Sequence, residues 1–341
     1  MTAALAGVKI VEFEGLGPAP LAGMMLAQQG ADVVLLRRPQ AASFKAQFQG
    51  QGIDAIDALK REVVADLKTP EGVALALEHV AWADALIEGN RPGVMERLGL
   101  GPRECLACNP RLVYARMTGW GQSGPLASAA GHDLNYVALT GLLSLSSREG
   151  RAPTIPPTIV GDASGALGLA FGVVSAVLAS RATGQGRVVD AAIVDIACML
   201  GGLVHLAHAM GHLTPGKPSL FLDSPFYEVY ACADGGFVSV AALEPQFYAL
   251  LLDKLGLTDV DPRAQFDATH WPALKTRFAA LFASQPRAHW CALLEGTDAC
   301  FAPVLTLAEA AAHPHIRARG ALQFAQGRLV AGTAPRDEAW R

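Results

Sequence analysis

Charged residues are scarce in this sequence. Only 17% of the 341 residues are Asp, Glu, Lys or Arg, and 27 basic residues stand against 31 acidic ones, giving a net charge of −4. Proteins that bind nucleic acid over a broad surface carry a clear excess of Lys and Arg. The composition therefore argues against a nucleic-acid partner, although it allows a local basic pocket.

A basic leader and a membrane span are also missing. The first eleven residues lack a basic segment followed by an apolar one, so we expect no secretion signal. Residues 163–180 are the most apolar stretch, but their glycines and alanines suit a buried helix better than a membrane span. We therefore expect a cytoplasmic protein without a membrane partner.

Metal-ligand patterns are few. Cys105 and Cys108 form a lone C-x-x-C without the second pair that a zinc site needs, so we expect reduced thiols. A predicted helix over 191–212 carries three histidines near one face: His205, His208 and His212. No carboxylate or cysteine accompanies them, which favours an exposed face over a metal site. We predict that no metal is bound.

The chain is long enough for about two domains, and its first forty residues indicate an α/β fold. A strand over 8–13, a turn, a helix over 21–29 and a second strand over 30–38 form a βαβ unit. Pro20 occupies the third glycine position of the dinucleotide fingerprint, and Arg38 ends the second strand where that fingerprint has an acid. Arginine there suits a ribose phosphate, which both NADP and coenzyme A (CoA) carry. An NADP-dependent oxidoreductase and a simple nucleotide binder thus stay open at this point.

Basic residues recur near predicted strand ends. Arg38, Lys68 and Arg91 lie at or just beyond the ends of strands over 30–38, 63–68 and 85–88. Such residues are usually exposed surface charge. Because ligands of open α/β sheets bind outside the carboxyl ends of the strands, we favour an anion site.

The composition changes after residue 214. Strands over 226–231 and 237–242 form a predicted hairpin, and helices follow, the first beginning at Glu244. Locally, Glu244 is explained by the helix dipole alone. We predict four parts: a large Rossmann-like domain over 1–190, a helical linker over 191–220, a small α+β domain over 221–302, and a segment over 303–341 that returns to the large domain.

The stretch over 131–162 carries the strongest functional signal. It opens with Gly131 and His132, and closes with Asp162 just before the apolar helix predicted over 163–180. Locally, Asp162 is a good helix N-cap and His132 an ordinary polar residue at a helix start. A histidine and a carboxylate can also move a proton in both directions at neutral pH. The backbone N–H groups at the helix start could then hold a developing oxyanion.

These residues lie in motifs that resemble class III (family III) CoA-transferases, most closely the α-methylacyl-CoA racemase branch. The motifs over 30–34, 65–68, 91–101, 114–125, 131–136, 160–162, 189–192 and 244–248 carry the resemblance across nearly the whole chain. The resemblance implies a Rossmann-like large domain with a parallel sheet, a smaller α+β domain, and an interlocked-ring homodimer with active sites at the subunit interface. The expected substrate is an acyl-CoA, with no cofactor beyond its CoA moiety.

The resemblance also assigns roles. His132 and Asp162 would flank the α-carbon of a 2-methylacyl-CoA, one on each face, and Glu244 of the partner's small domain would support His132. The expected CoA contacts are Arg38, Ala65, Asp66, Leu67, Lys68, Gly89, Asn90, Arg91, Arg97, Gly131, Asp133, Leu134, Asn135, Tyr136 and Tyr227. Two-base racemisation through an enolate is the favoured reaction, because transferase members usually lack the histidine. The alternative is CoA transfer between an acyl-CoA and a carboxylic acid through an Asp162 anhydride.

Three features depart from the family pattern. Asn90 stands where an aromatic residue is expected, residues 50–61 lack an Asn-Arg-Gly-Lys run, and the tail after Pro335 is short. These differences concern the nucleotide-binding loop and the closure of the large domain.

Overall fold

A computed structural model describes residues 3–40, 53–147, 152–214, 216–325 and 327–336. The chain forms two compact units, one containing the chain up to Gly202 and the part from Gly332 onward, the other Leu203–Ala331. The segment predicted as a linker over 191–220 is therefore divided between the units. Residues 303–331 belong to the second unit, and the return to the first begins at Gly332.

The first unit is built on a six-stranded sheet. Its strands are β1 (Lys9–Phe13), β2 (Asp32–Arg37), β3 (Arg61–Val64), β4 (Ala85–Glu88), β5 (Val113–Thr118) and β6 (Arg187–Ala192). Their order is β3-β2-β1-β4-β5-β6 and every neighbouring pair is parallel, which confirms the predicted α/β class. The strand order reverses between β1 and β4, and the loops outside the carboxyl ends of such strands form a binding crevice.

Helices connect these strands. They are α1 (Pro18–Gln28), α2 (Pro70–Trp82), α3 (Val94–Arg97), α4 (Pro102–Cys108), α5 (Asp133–Leu139), α6 (Ser164–Thr183) and α7 (Ile193–Leu200). Helix α2 begins as its sequence predicts, because Pro70 occupies the first turn and the Thr69 hydroxyl accepts the Gly72 N–H at 3.1 Å.

Helix α6 is the central helix of this unit. Ala166, Leu169 and Val173 are buried in the core beside the sheet. Gly168 allows close approach to α7, since a Cβ there would lie 2.5 Å from a carbon of Ile196. The segment Ile159–Thr183 is long and apolar enough to cross a membrane, but one side of it is buried in the core of this unit.

The second unit has its own core. It contains the antiparallel strands β7 (Tyr227–Ala231), β8 (Phe237–Ala241) and β9 (Phe301–Val304), and a hairpin of β10 (Leu322–Ala325) and β11 (Arg328–Ala331). Its helices are α8 (Gly202–Ala209), α9 (Pro245–Lys254), α10 (Trp271–Phe282), α11 (Arg287–Leu294), α12 (Leu307–Ala312) and α13 (Pro314–Arg319). Aromatic side chains fill the space between β7–β9 and α9–α11, as in the stacked rings of Tyr230 and Phe282 at 5.1 Å.

Two predicted elements differ from the structure. The helix predicted over 191–212 is two helices, α7 and α8, separated at Gly201, because two adjacent glycines disfavour a continuous helix. The strand predicted over 63–68 ends at Val64. Residues after Ala65 turn instead, with the Thr69 N–H and hydroxyl both donating to the Asp66 carbonyl.

Candidate active site

The predicted anion-binding residues follow three strands of the parallel sheet, of which β2 and β3 are adjacent while β1 separates β2 from β4. Arg38 comes directly after β2, Lys68 follows β3, and Arg91 follows β4. All three side chains are exposed. Because the carboxyl ends of parallel strands share one edge, the fold places these cations along the same side of the sheet.

Lys68 and Arg97 line one open cavity of about 500 Å³. Its other walls come from α2, the turn before it and Leu98, and are largely apolar: Leu67, Thr69, Pro70, Val73, Ala74, Leu77 and Leu98. An apolar cavity with cations at its rim suits a planar base that carries phosphates nearby. Two predicted CoA residues thus meet, on segments about thirty residues apart.

Other residues of this region that are predicted to contact CoA have structural roles in the fold. Ala65 is buried, and its N–H donates to the Arg37 carbonyl at 2.8 Å. The Asp66 carboxylate accepts the Lys68 N–H at 3.1 Å and so shapes the turn. Gly89 is exposed and packs closely on α1, because a Cβ there would lie 3.2 Å from the Ala19 Cβ.

His132 lies immediately before α5 and is exposed. Its N–H donates to the Asn135 side-chain oxygen at 3.1 Å, so Asn135 caps the helix start. Leu134, also on the first turn of α5, is exposed. The helix start therefore displays the histidine on a fixed backbone.

Asp133 has a different role from the predicted CoA contact. Its side chain is buried, and its carboxylate accepts N–H groups from Thr158, Gly161 and Asp162 at 3.2, 3.0 and 2.8 Å. The side chain of Asp133 is thus a cap for the segment that carries Asp162. The Asp162 amide is therefore already bonded and is not free for the predicted oxyanion, whereas the part of the other amides at the start of α6 stays a prediction.

Asp162 lies in a turn of π-helix, Ile159–Ala163, that precedes α6. The turn begins at Thr158, whose φ of 63° is in the left-handed region that a β-branched residue rarely adopts. Asp162 is therefore not the simple N-cap that its sequence suggests. Backbone irregularities of this kind are frequent at functional sites.

The Asp162 carboxyl is half-buried. Burial raises its pKa above the ordinary value, the Asp133 carboxylate raises it further, and the cationic form of His132 lowers it. The electrostatic influence of His132 places the two predicted catalytic groups in one neighbourhood. A raised pKa shifts Asp162 towards its protonated form, which is the direction that an acid–base role requires.

Two further features define this neighbourhood. A Cβ on Gly17, which starts α1 with a φ of 71°, would lie 3.4 Å from the Asp162 Oδ2. The Tyr136 hydroxyl donates to the Gly131 carbonyl, and its ring meets the Trp120 ring edge-on at 4.7 Å. Burial raises the Tyr136 pKa, the Asp162 charge raises it further and Arg91 lowers it, so the Tyr136 phenol lies within electrostatic reach of both charges.

The sequence reasoning gave no part to Gly17 or Trp120 in this neighbourhood. Trp120 was visible only as one residue of a glycine-rich loop after β5. Its partner Tyr136 lies sixteen residues later, so the ring contact depends on the fold. Gly17 was visible only as a turn residue, and the helix predicted over 21–29 begins three residues earlier, at Pro18.

Glu244 and Tyr227 belong to the second unit. Glu244 is the exposed residue directly before α9, whose first residue is Pro245. Cys300 lies near it, since the Glu244 charge contributes to the raised pKa of that thiol. Tyr227 begins β7 and packs edge-on against Phe221 at 5.4 Å.

The remaining sequence pattern is that of the histidines and the C-x-x-C cysteines, which could have indicated a metal site. In the described ranges, no group of three His, Cys, Asp or Glu side chains could hold a metal ion. His205 and His208 lie on α8 and are exposed, whereas His212 lies beyond the helix and contacts Phe221. Cys105 is buried, its thiol donates to the Leu100 carbonyl, and burial raises its pKa to about 12.

Comparison with known proteins agrees with the family resemblance of the sequence motifs. Residues 5–335 match the model of CoA-transferase family III. The mouse protein named alpha-methylacyl-CoA racemase is 42% identical over 318 residues, covering 92% of this chain and 81% of that protein. An acetyl-CoA:oxalate CoA-transferase of Acetobacter aceti is 32% identical, covering 80% and 72%. The crystal structure of a CAIB/BAIF family protein from Brucella suis superimposes with a TM-score of 0.82 at 26% identity, covering 99% of this chain and 93% of that one.

Proposed function

The chain belongs to CoA-transferase family III, and we propose that it is a racemase that interconverts (R)- and (S)-2-methylacyl-CoA thioesters. The observation that carries this proposal is the half-buried Asp162, which has a raised pKa and lies within the electrostatic reach of His132. The higher identity to the mouse racemase than to the Acetobacter transferase supports the same activity.

The proposed reaction uses two bases. A thioester acidifies the C–H bond at its α-carbon, and removal of that proton leaves an enolate. His132 removes the proton from one enantiomer, and protonated Asp162 delivers a proton to the opposite face. In the reverse reaction Asp162 removes the proton and His132 returns one. In the first direction, His132 gains a proton and Asp162 loses one. A proton exchange therefore returns the two bases to their starting protonation states before the same enantiomer reacts again.

The environment of Asp162 suits this part. A carboxyl group with an ordinary pKa is almost fully ionised at neutral pH and is a weak acid catalyst. Burial and the Asp133 carboxylate both favour the protonated form. Asp133 also accepts three backbone N–H groups of the segment that carries Asp162, so the backbone beneath the reactive group is fixed before the substrate binds.

For substrate binding, we assign the CoA phosphates to the cations outside β2, β3 and β4: Arg38, Lys68, Arg91 and Arg97. The apolar cavity beside α2 and α3 takes the adenine ring. No metal, nicotinamide or flavin takes part in the proposed reaction, because the thioester itself makes the α-proton acidic. The CoA moiety of the substrate is the only cofactor-like group.

We further propose a homodimer in which Glu244 and Tyr227 of each chain complete the partner's site. Helix α6 exposes Leu167, Phe171 and Leu178 at helical spacing. Such a stripe of large apolar side chains is unfavourable in water and suits a subunit interface. The interlocked-ring arrangement belongs to this proposal, as does a cytoplasmic location without nucleic-acid or membrane partners. All six cysteines are free, which fits a reducing compartment.

The test is α-proton exchange. We expect (S)-2-methylacyl-CoA incubated in D2O to gain deuterium at the α-carbon and to become racemic, as followed by NMR. His132→Ala should reduce exchange by about 100-fold or more, the range for loss of an acid–base group. Undiminished exchange in this variant would remove His132 from the mechanism.

The same preparation distinguishes the transferase alternative. In that reaction the Asp162 carboxylate attacks the thioester carbonyl, forming a mixed anhydride and releasing CoA thiolate. Label from a free carboxylic acid would then enter the CoA ester pool, and hydroxylamine would trap the acyl-enzyme. We expect neither result at a rate comparable to racemisation.

A further inference from the structure

Three charged side chains outside the proposed catalytic pair lie beneath the segment that carries Arg91 and Arg97. Glu88 ends β4 and Arg116 lies near the end of β5, and their side chains are only 1% and 8% exposed. Glu96 lies on α3 and is partly exposed, at 42%. The proposed reaction uses none of these three groups.

Their hydrogen bonds form one network. The Arg116 Nε donates to one Glu88 oxygen at 3.1 Å, and its terminal nitrogens contact both Glu96 oxygens at 2.9 and 3.3 Å. The other Glu88 oxygen accepts the Asn90 N–H at 2.7 Å. Arg116 thus bridges two acids that are eight residues apart in the chain.

The network holds both ends of the segment over 90–97. Asn90, which bonds to Glu88, directly precedes Arg91, and Glu96 directly precedes Arg97. Between them the Asn90 amide donates to the sulfur of Met95 at 3.3 Å, and Met95 is fully buried. Each of the two exposed arginines therefore directly follows a residue, Asn90 or Glu96, that is hydrogen-bonded to a buried side chain of the network.

Stability alone is a poor explanation for this arrangement. Burial raises the Glu88 pKa, although the Asn90 N–H and Arg116 both lower it. Buried ion pairs recover their desolvation cost only in part, and apolar residues of similar size are often as stabilising. We therefore explain this network by the fixed geometry that it gives to its side chains, rather than by its contribution to stability.

We propose that Glu88, Arg116 and Glu96 are positioning residues that fix Arg91 and Arg97 for the phosphate groups of CoA. This inference rests on the proposed function, because it takes the two arginines as CoA contacts. Arginine is suited to the bridge because its planar guanidinium reaches both acids at once, which lysine cannot do.

The test compares two thioesters of the same acyl group, one with CoA and one with pantetheine, which lacks the phosphates. Racemisation is measured for Glu96→Gln, Arg116→Lys and a control, Arg103→Met. The Arg103 side chain is 93% exposed, and its one ion-pair partner among the described residues is its neighbour Glu104, so the control removes a surface cation that does not contact the network.

With the CoA ester, we expect KM to rise on the order of tenfold in Glu96→Gln and Arg116→Lys, with kcat nearly unchanged, because displaced arginines weaken binding. With the pantetheine ester, KM should match the wild type. Arg103→Met should leave both values unchanged. Glu96→Gln alters an exposed group, so it keeps the test valid if Arg116→Lys folds poorly.

Two results would overturn the inference while leaving the proposed function intact: an unchanged KM for the CoA ester, or an equal rise for both esters, which indicates general damage. If the wild-type protein racemises neither ester, the proposed function itself fails. The wild-type measurement therefore separates the two failures.

Discussion

Asp162 and Glu88 are two acids whose pKa is raised by burial, yet their surroundings differ. Glu88 is fully buried, and its carboxylate bonds to Arg116 and to the Asn90 N–H. Asp162 is half-buried, and in the described part of the chain no side chain bonds to its carboxylate. Besides burial, the groups that shift its pKa are another acid, Asp133, which raises it, and His132, which lowers it.

The comparison shows how one fold separates structural from reactive carboxyl groups. Both lie near the carboxyl edge of the parallel sheet, where loops replace strands. For Glu88, burial raises the pKa while hydrogen bonds from Asn90 and Arg116 oppose that effect and fix a geometry. For Asp162, burial and the Asp133 carboxylate both raise the pKa and only His132 lowers it, which is the direction that its proposed acid role requires.

Substitution of each acid by its amide tests this difference directly. We expect these substitutions to give the largest effect. Asp162→Asn should reduce α-proton exchange about 1,000-fold, because the amide cannot carry the proton. Glu88→Gln should change kcat far less and act mainly on KM for the CoA ester. NMR-monitored exchange with both variants provides the measurement. Equal losses of kcat would contradict the division of roles.

Removal of the cation tests the structural half of the comparison. Arg116→Met leaves Glu88 buried without its partner, and we expect a loss of about 3 kcal/mol in the free energy of unfolding. Urea denaturation provides the measurement, with Arg103→Met as the exposed control. The double variant Glu88→Gln with Arg116→Met should regain part of the loss, because no buried charge remains unpaired and Glu96, which also loses its partner, is partly exposed. A double variant less stable than Arg116→Met would argue against an ion pair as the cause.

Much of the fold follows from local pattern. The strands near residues 10, 35, 86 and 115 are apolar runs between turn residues, and α2 has its proline and its threonine cap. These signals lie within a few neighbouring residues, so they are legible before folding. The placement of cations after β2 and β4 follows from the same pattern.

The details that tune the site depend on contacts between distant segments. Asp133 caps amides 25 to 29 residues later, and Glu88 meets Arg116 across 28 residues. An acid that follows a histidine gives no local sign that it will be buried as a cap. One signal for the second network was available: Glu88 and Arg116 are charges within or at the end of otherwise apolar strands, where a buried partner is needed.

The smallest expected effect concerns stability against pH. The Asp162 pKa is raised above its ordinary value of 3.8, so ionisation of Asp162 disfavours the folded state. The stability of the wild type relative to Asp162→Asn is therefore greatest below that ordinary value and declines as pH rises through the raised pKa. At neutral pH we expect the Asp162→Asn variant to gain less than about 1 kcal/mol in the free energy of unfolding, because water screens a half-exposed group.

Asp259→Asn is the control of opposite sign. Its hydrogen bonds from Arg277 lower the Asp259 pKa, so the wild type gains stability from that acid above the ordinary pKa and loses it as pH falls. The measurement is the urea unfolding midpoint of the wild type, Asp162→Asn and Asp259→Asn between pH 3 and pH 8, at intervals on the order of one pH unit. If Asp162→Asn follows the same course as Asp259→Asn, Asp162 is a stabilised anion in the folded protein and lacks the protonated form that its proposed role requires.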